Sequence, residues 1–89
     1  MPARLRWEDD RIEHIAEHGV TLDEAVEVFT HRHLSVKQGK TKRKVYGQTL
    51  DGRYLTLIVG WRRSSREWWL VTARDMTPTE KRYYRQHRR

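Results

Sequence analysis

The 89-residue sequence predicts an α+β domain: two N-terminal helices packed on an antiparallel sheet of about four strands, completed by a C-terminal helix. Three observations carry this. Pairs with capping-box spacing open the chain and recur near its end (Asp10 with Glu13, Thr21 with Glu24, Thr77 with Glu80). The middle alternates β-branched and aromatic residues with polar ones around turn signals. A chain of this length buries only about two-thirds of its unfolded surface, so residues 1–89 are read as one domain with one small core.

The first helix is expected from Asp10, where one side chain satisfies a free N–H and Glu13 reaches back to the cap; Ile12, Ile15 and Ala16 line its apolar face. Gly19 suits a helix stop. A second helix should start at Thr21, with Leu22, Ala25, Val26 and Phe29 at i, i+3, i+4 and i+7 spacing, so that the two helices share an apolar seam. In "KRKVYGQTLDGRYLTLIVGW", Asp51-Gly52 marks a two-residue hairpin turn, and Leu55, Leu57, Val59 and Trp61 alternate with Tyr54, Thr56, Ile58 and Gly60. A second turn, "RRSSRE", leads into "WWLVTARDM", whose unbroken apolar run reads as a central strand covered on both faces. Adjacent Trp68 and Trp69 must point to opposite faces. The last helix is expected from Pro78: Thr77 caps it, proline at the first helical position loses no bonded N–H, and Glu80 completes the box. Tyr83 and Tyr84 are its main apolar groups, and Lys81, Arg82, Arg85, Arg88 and Arg89 give it a cationic surface.

The formal net charge of +7 is divided unevenly: residues 1–35 hold four basic and eight acidic side chains, whereas residues 36–89 hold fifteen and four. A polycationic half of net +11 points to a polyanionic partner, of which nucleic acid is the commonest. No cysteine is present, which excludes disulfides, thiolate zinc sites and a cysteine nucleophile. No segment approaches the roughly 18 apolar residues of a membrane span, and the N-terminus lacks a signal-peptide core. The expectation is a soluble cytoplasmic protein.

"HIAEH", residues 14 to 18, reproduces the H-x-x-E-H order of inverted zinc peptidases, in which two histidines hold the metal and the glutamate activates water. A catalytic zinc also needs a third protein ligand and an open position, which only His31 or His33 offers here. His14 and His18 are therefore read as a surface and a helix-end residue, the latter favoured by unsatisfied carbonyls, and no metal or other cofactor is expected.

Read together, "RWEDDRIEHIAEHGVTLDEAVEVF", "YGQTLDGRYLTLIV" and "TARDMTPTEKRYYR" resemble the BrnT family of bacterial toxins, within the RelE-like ribonuclease superfamily, over nearly the whole chain from Trp7 to Arg85. The most specific matches are "HG" before a capped helix with "EAVEVF", the G-x-T-x-D-G-R hairpin, and T-A-R-D-M-T-x-x-E from the last strand into the last helix. The sequence departs from the family pattern at His14 and Glu17 and in the basic stretch "LSVKQGKTKRK". The resemblance implies a small RelE-like domain acting as a metal-independent endoribonuclease toxin. It would cleave messenger RNA, inhibit translation and be neutralised by a BrnA-like ribbon-helix-helix antitoxin.

Cutting RNA without a metal uses the ribose 2′-hydroxyl as nucleophile. The enzyme must remove one proton, donate another and stabilise charge on a five-coordinate phosphorus. Arginine suits the last task because its planar fork donates two charge-assisted hydrogen bonds. Arg74 and Arg53, at positions matching the family, are the expected clamp. Lys44, in a crowd of Lys42, Arg43 and Arg74, is a candidate base, and Tyr84 a candidate for stacking or hydrogen bonding. Lys42, Arg43, Arg62, Arg63, Lys81, Arg82 and Arg85 are the expected RNA-binding cations. Trp61, Trp68 and Trp69 are read as core residues or as platforms for single-stranded bases. A non-catalytic module that binds RNA, DNA or protein on the same scaffold is the alternative.

Overall fold

Local capping chemistry starts two of the three helices where the sequence places them. The structure, a computed structural model, describes residues 4–88, so Arg89 lies outside the described residues. Thr21 Oγ1 accepts from the Glu24 N–H at 3.1 Å while Thr21 N–H donates to Glu24 Oε1 at 3.0 Å, opening α2 (Leu22–Thr30). The same reciprocal pair at Thr77 and Glu80 opens α3 (Pro78–His87). The first helix, α1 (Asp9–Ala16), starts differently. Its N-cap is Glu8, with no side-chain cap bond, and the expected Asp10–Glu13 box does not form because Asp10 already lies inside the first turn. There Asp9 and Asp10 face the positive end of the helix dipole. Gly19, at φ +73°, then reverses the chain, and the Val20 N–H returns to the Ile15 carbonyl at 3.1 Å.

Five strands follow one mixed sheet, in place of about four in an antiparallel one. They are β1 (Leu5–Arg6), β2 (His33–Gln38), β3 (Lys42–Gln48), β4 (Tyr54–Arg62) and β5 (Glu67–Asp75), in the order β1-β5-β4-β3-β2. β2 to β5 form the expected antiparallel meander, and β1 adds in parallel at Leu5↔Trp68 and Arg6↔Trp69. Two residues are too few to show periodicity, which hides β1. β2 is masked by the surrounding lysines, although Leu34 and Val36 alternate with Ser35 and Lys37. The central strand is β4, not β5. Beyond β1, the outer edge of β5 meets α1 instead, where Arg11 donates to the Val71 carbonyl at 3.3 Å.

The β3–β4 hairpin has three loop residues rather than two. The Thr49 N–H donates to the Arg53 carbonyl, and the Gly52 N–H closes a turn on the Thr49 carbonyl, both at 2.9 Å. Leu50 and Asp51 are its central residues, and Gly52 follows at φ +88°, the left-handed position that favours glycine in this loop.

Strand alternation separates two cores. On one face Val45, Leu55, Leu57, Val59, Leu70 and Ala73 pack under α1 and α2 through Ile15, Val20, Ala25, Val28 and Phe29. The helices turn their apolar sides to the sheet rather than to a shared seam, and Ala16 is exposed. Gly47 permits the approach of α2: a Cβ there would lie 2.9 Å from Val28 Cγ1. On the opposite face Tyr84 of α3 and Met76, in the link between β5 and α3, pack with Tyr46, flanked by Leu34, Val36 and Tyr54. Burial of the largest aliphatic side chains at roughly 1.5–3 kcal/mol each supplies the main favourable term.

Candidate active site

A polar residue in the middle of an apolar strand marks the site. Thr56, in "YLTLIV", is fully buried between Tyr46 on β3 and Arg74 on β5. A buried hydroxyl needs a partner. Its Oγ1 donates to Glu80 Oε1 at 3.1 Å, because the cap at Thr77 turns Glu80 down onto the sheet. Arg74 meets the same carboxylate with both prongs, Nη1 to Oε1 at 2.6 Å and Nη2 to Oε2 at 3.0 Å, and Lys44 Nζ lies 3.5 Å from Oε2. The Thr77 N–H adds a fourth donor at 2.9 Å. Burial works against the charge on Glu80, but the hydrogen bonds from Arg74 and from the Thr77 backbone outweigh it and hold the carboxyl at about 2. The same hydrogen bond raises Arg74 above the ordinary arginine range. Burial, then the Glu80 charge, raises the Tyr46 phenol.

The structure brings Arg74 and Lys44 together, and it does so around an acid. The nearest charge to Lys44 is thus a carboxylate rather than the crowd of cations its sequence neighbours suggest. Arg74 keeps capacity in reserve. It also donates from Nη1 to the Asp75 carbonyl at 3.2 Å, while its Nε–H and second Nη2–H have no hydrogen-bond partner among the described residues. Its side chain is 34% exposed.

Arg53 does not join this clamp. It lies on the α1–α2 side, where Nε bonds Asp75 at 3.0 Å and Nη1 bonds the Gly19 carbonyl at 2.7 Å and Glu24 at 3.0 Å. It ties the α1–α2 turn to the end of β5, and the hydrogen bond with Asp75 raises its already high pKa. Tyr84 is 5% exposed, packed between α3 and the sheet with its ring 6.0 Å from that of Tyr54, so its place is in the core.

The expected RNA-binding cations fall in separate places. Lys81 and Arg85 flank the Tyr54 ring at 5.0 and 5.3 Å, and the Arg85 hydrogen bond lowers the Tyr54 phenol. Arg82 is exposed on α3 and Arg63 in the β4–β5 turn. Arg62 stacks 3.8 Å over Trp69 and pairs with Glu8, a structural use of its charge. Arg43 projects to the other sheet face, 5.9 Å over Trp68, and Lys42 stands exposed at the start of β3. Trp68 and Trp69 do face opposite ways: Trp68 packs on the main core, and Trp69 lies between Arg62 and Arg6.

Among the described residues no three His, Cys, Asp or Glu side chains come together as a metal cluster. His14 Nε2 is 3.1 Å from Thr72 Oγ1, and the His14 and His18 rings meet edge to face at 5.5 Å. This brings His14 to Thr72, two residues before Arg74 on the same face of β5. Sequence reasoning missed that contact, as it missed Glu80 as a hub. The legible signals were a threonine inside an aliphatic run and an arginine six residues before a capping glutamate. No described helix is long and apolar enough to cross a membrane. The chain matches no protein-family model, and no curated protein is significantly similar to it.

Proposed function

We propose that this chain is a metal-independent endoribonuclease of the BrnT toxin type, with a RelE-like fold and a cytoplasmic site of action. It would act on messenger RNA under the control of a ribbon-helix-helix antitoxin. The observation that supports the reading is that Arg74 and Lys44 converge from two strands on the Glu80 carboxylate beside the start of α3, while the Arg74 Nε–H and second Nη2–H have no partner among the described residues. In this reading Glu80 aligns the guanidinium, and the free Nε–H and Nη2–H donate to the scissile phosphate. Lys44 supplies charge rather than basicity. The ribose 2′-oxygen bonds to phosphorus, its proton passes to His14, and the bond to the 5′-oxygen breaks as that oxygen takes a proton from solvent water, giving a 2′,3′-cyclic phosphate and a 5′-hydroxyl. Tyr84 and Arg53 hold the scaffold.

Cleavage of a long RNA in EDTA tests this. Arg74→Ala alone leaves Glu80 buried with one cation fewer and is expected to fold less stably, so the informative variants are Arg74→Lys and Arg74→Ala/Glu80→Gln. Both should slow cleavage by about 100- to 1000-fold while retaining the fold. His14→Gln should slow it by about 100-fold or more. A folded double variant that cuts at the wild-type rate would remove Arg74 from the chemistry. Salt-sensitive binding without any cleavage by the wild type would select the alternative, a basic binding module on the same fold.

A further inference from the structure

The sheet carries a second cationic surface, on the face opposite Arg74. Beyond the end of α2, a cleft of about 460 Å³ is lined by Phe29, His31, His33, Arg43 and Trp68. It shares Arg43 and Trp68 with a second cleft of about 370 Å³, which reaches Lys37, Lys40 and Trp61. Each has the size of an ordinary ligand site, and together they form one groove across the open end of the sheet. No aspartate or glutamate lines either part. Lys37 and Arg43 are cross-strand partners, and neither they nor Lys40 form an ion pair among the described residues. The contrast with Arg53, Arg62 and Arg74, each matched to an acid, is plain. Aromatic surface lies among these free charges. Trp61 is 37% exposed, its ring 5.0 Å from that of Trp68, and the Arg43 guanidinium sits 5.9 Å from the Trp68 ring.

We propose that this groove is a separate binding site for single-stranded nucleic acid, with bases stacked on Trp61 and Trp68 and phosphates held by Lys37, Lys40 and Arg43. Unpaired cations attract a polyanion, and the exposed Trp61 indole among them, with the edge of Trp68 beside it, offers a face for a planar partner; a single strand supplies both in alternation. A duplex keeps its bases stacked inside. An acidic polypeptide answers the charges but leaves the indoles without planar partners. The site does not depend on cleavage at Arg74.

The test uses a short fluorescently labelled oligodeoxynucleotide, which lacks the 2′-hydroxyl and cannot be cut, so binding is read whether or not the protein is a ribonuclease. Trp61→Ala should weaken binding about tenfold, whereas Trp61→Phe retains most of it. Thermal melting confirms that both variants are folded. Lys37→Gln/Lys40→Gln should reduce the slope of log affinity against log salt by about 1.4, the amount for two single-strand phosphates. Polyglutamate should compete poorly. Wild-type affinity in both the Trp61→Ala and the double lysine variants would overturn the site, and so would polyglutamate competing as well as an unlabelled oligonucleotide, since the groove would then read charge alone and suit an acidic protein.

Discussion

Glu80 decides how Arg74 behaves. A buried carboxylate with four donors is an internal counter-ion, and removing one partner costs more than forming the pair contributes. Its carboxyl titrates at about 2 in the folded protein against an ordinary value of 4.5. The stabilisation is therefore complete above about pH 4.5 and is lost as pH falls through about 2, amounting to about 3 kcal/mol at 1.36 kcal/mol per pH unit. Acid unfolding of the wild type should show this limb, and Glu80→Gln should flatten it while lowering stability at neutral pH. An acid limb unchanged in Glu80→Gln would place the titrating group elsewhere. The sequence displayed Glu80 only as a cap, because the same side chain does two jobs and the local one is the one that spacing reveals.

At the level of elements, helices and hairpins were legible where local chemistry dictates them. Thr21 and Thr77 cap as their spacing requires, and Pro78 opens α3. The Asp51-Gly52 signal located its turn, but the loop is one residue longer, since glycine at φ +88° serves a three-residue loop as well as a two-residue one. Contacts between distant segments were not legible. Arg53 and Arg74 look equivalent in sequence, yet one points toward Gly19 and Glu24 and the other toward α3. Pairing of β1 depends on Trp68, far along the chain. Gly47 belongs to this class too, because only the assembled fold shows that Val28 of α2 presses on it. Gly47→Ala should destabilise by about 1–3 kcal/mol through overpacking, measurable as a lower denaturant midpoint with an unchanged slope. An unchanged midpoint would mean that α2 shifts freely. Val28→Ala in the same background should restore part of the loss.

Across the whole molecule, the acidic first third and basic remainder are folded so that some acids neutralise chosen cations. Glu8 takes Arg62 and Glu24 takes Arg53, while Lys37, Lys40 and Lys42 form no ion pair among the described residues. Positive charge is thus concentrated by internal pairing as well as by composition. The fold is closed at one edge by its earliest strand, and Leu5, 5% exposed, is the anchor. Leu5→Ala should cost about 2–5 kcal/mol. Because its contacts span most of the chain, the loss should appear chiefly as faster unfolding, with a nearly unchanged refolding rate. A chevron in which the refolding limb drops instead would place β1 in the folding nucleus. The parallel pairing of β1 with β5 also sets a clock on biosynthesis. Leu5 is translated first, and its partner Trp68 follows after roughly 3 to 13 s at about 5–20 residues per second. Throughout that interval Leu5 has no strand to receive it, so β1 joins the sheet only after β5 has been made.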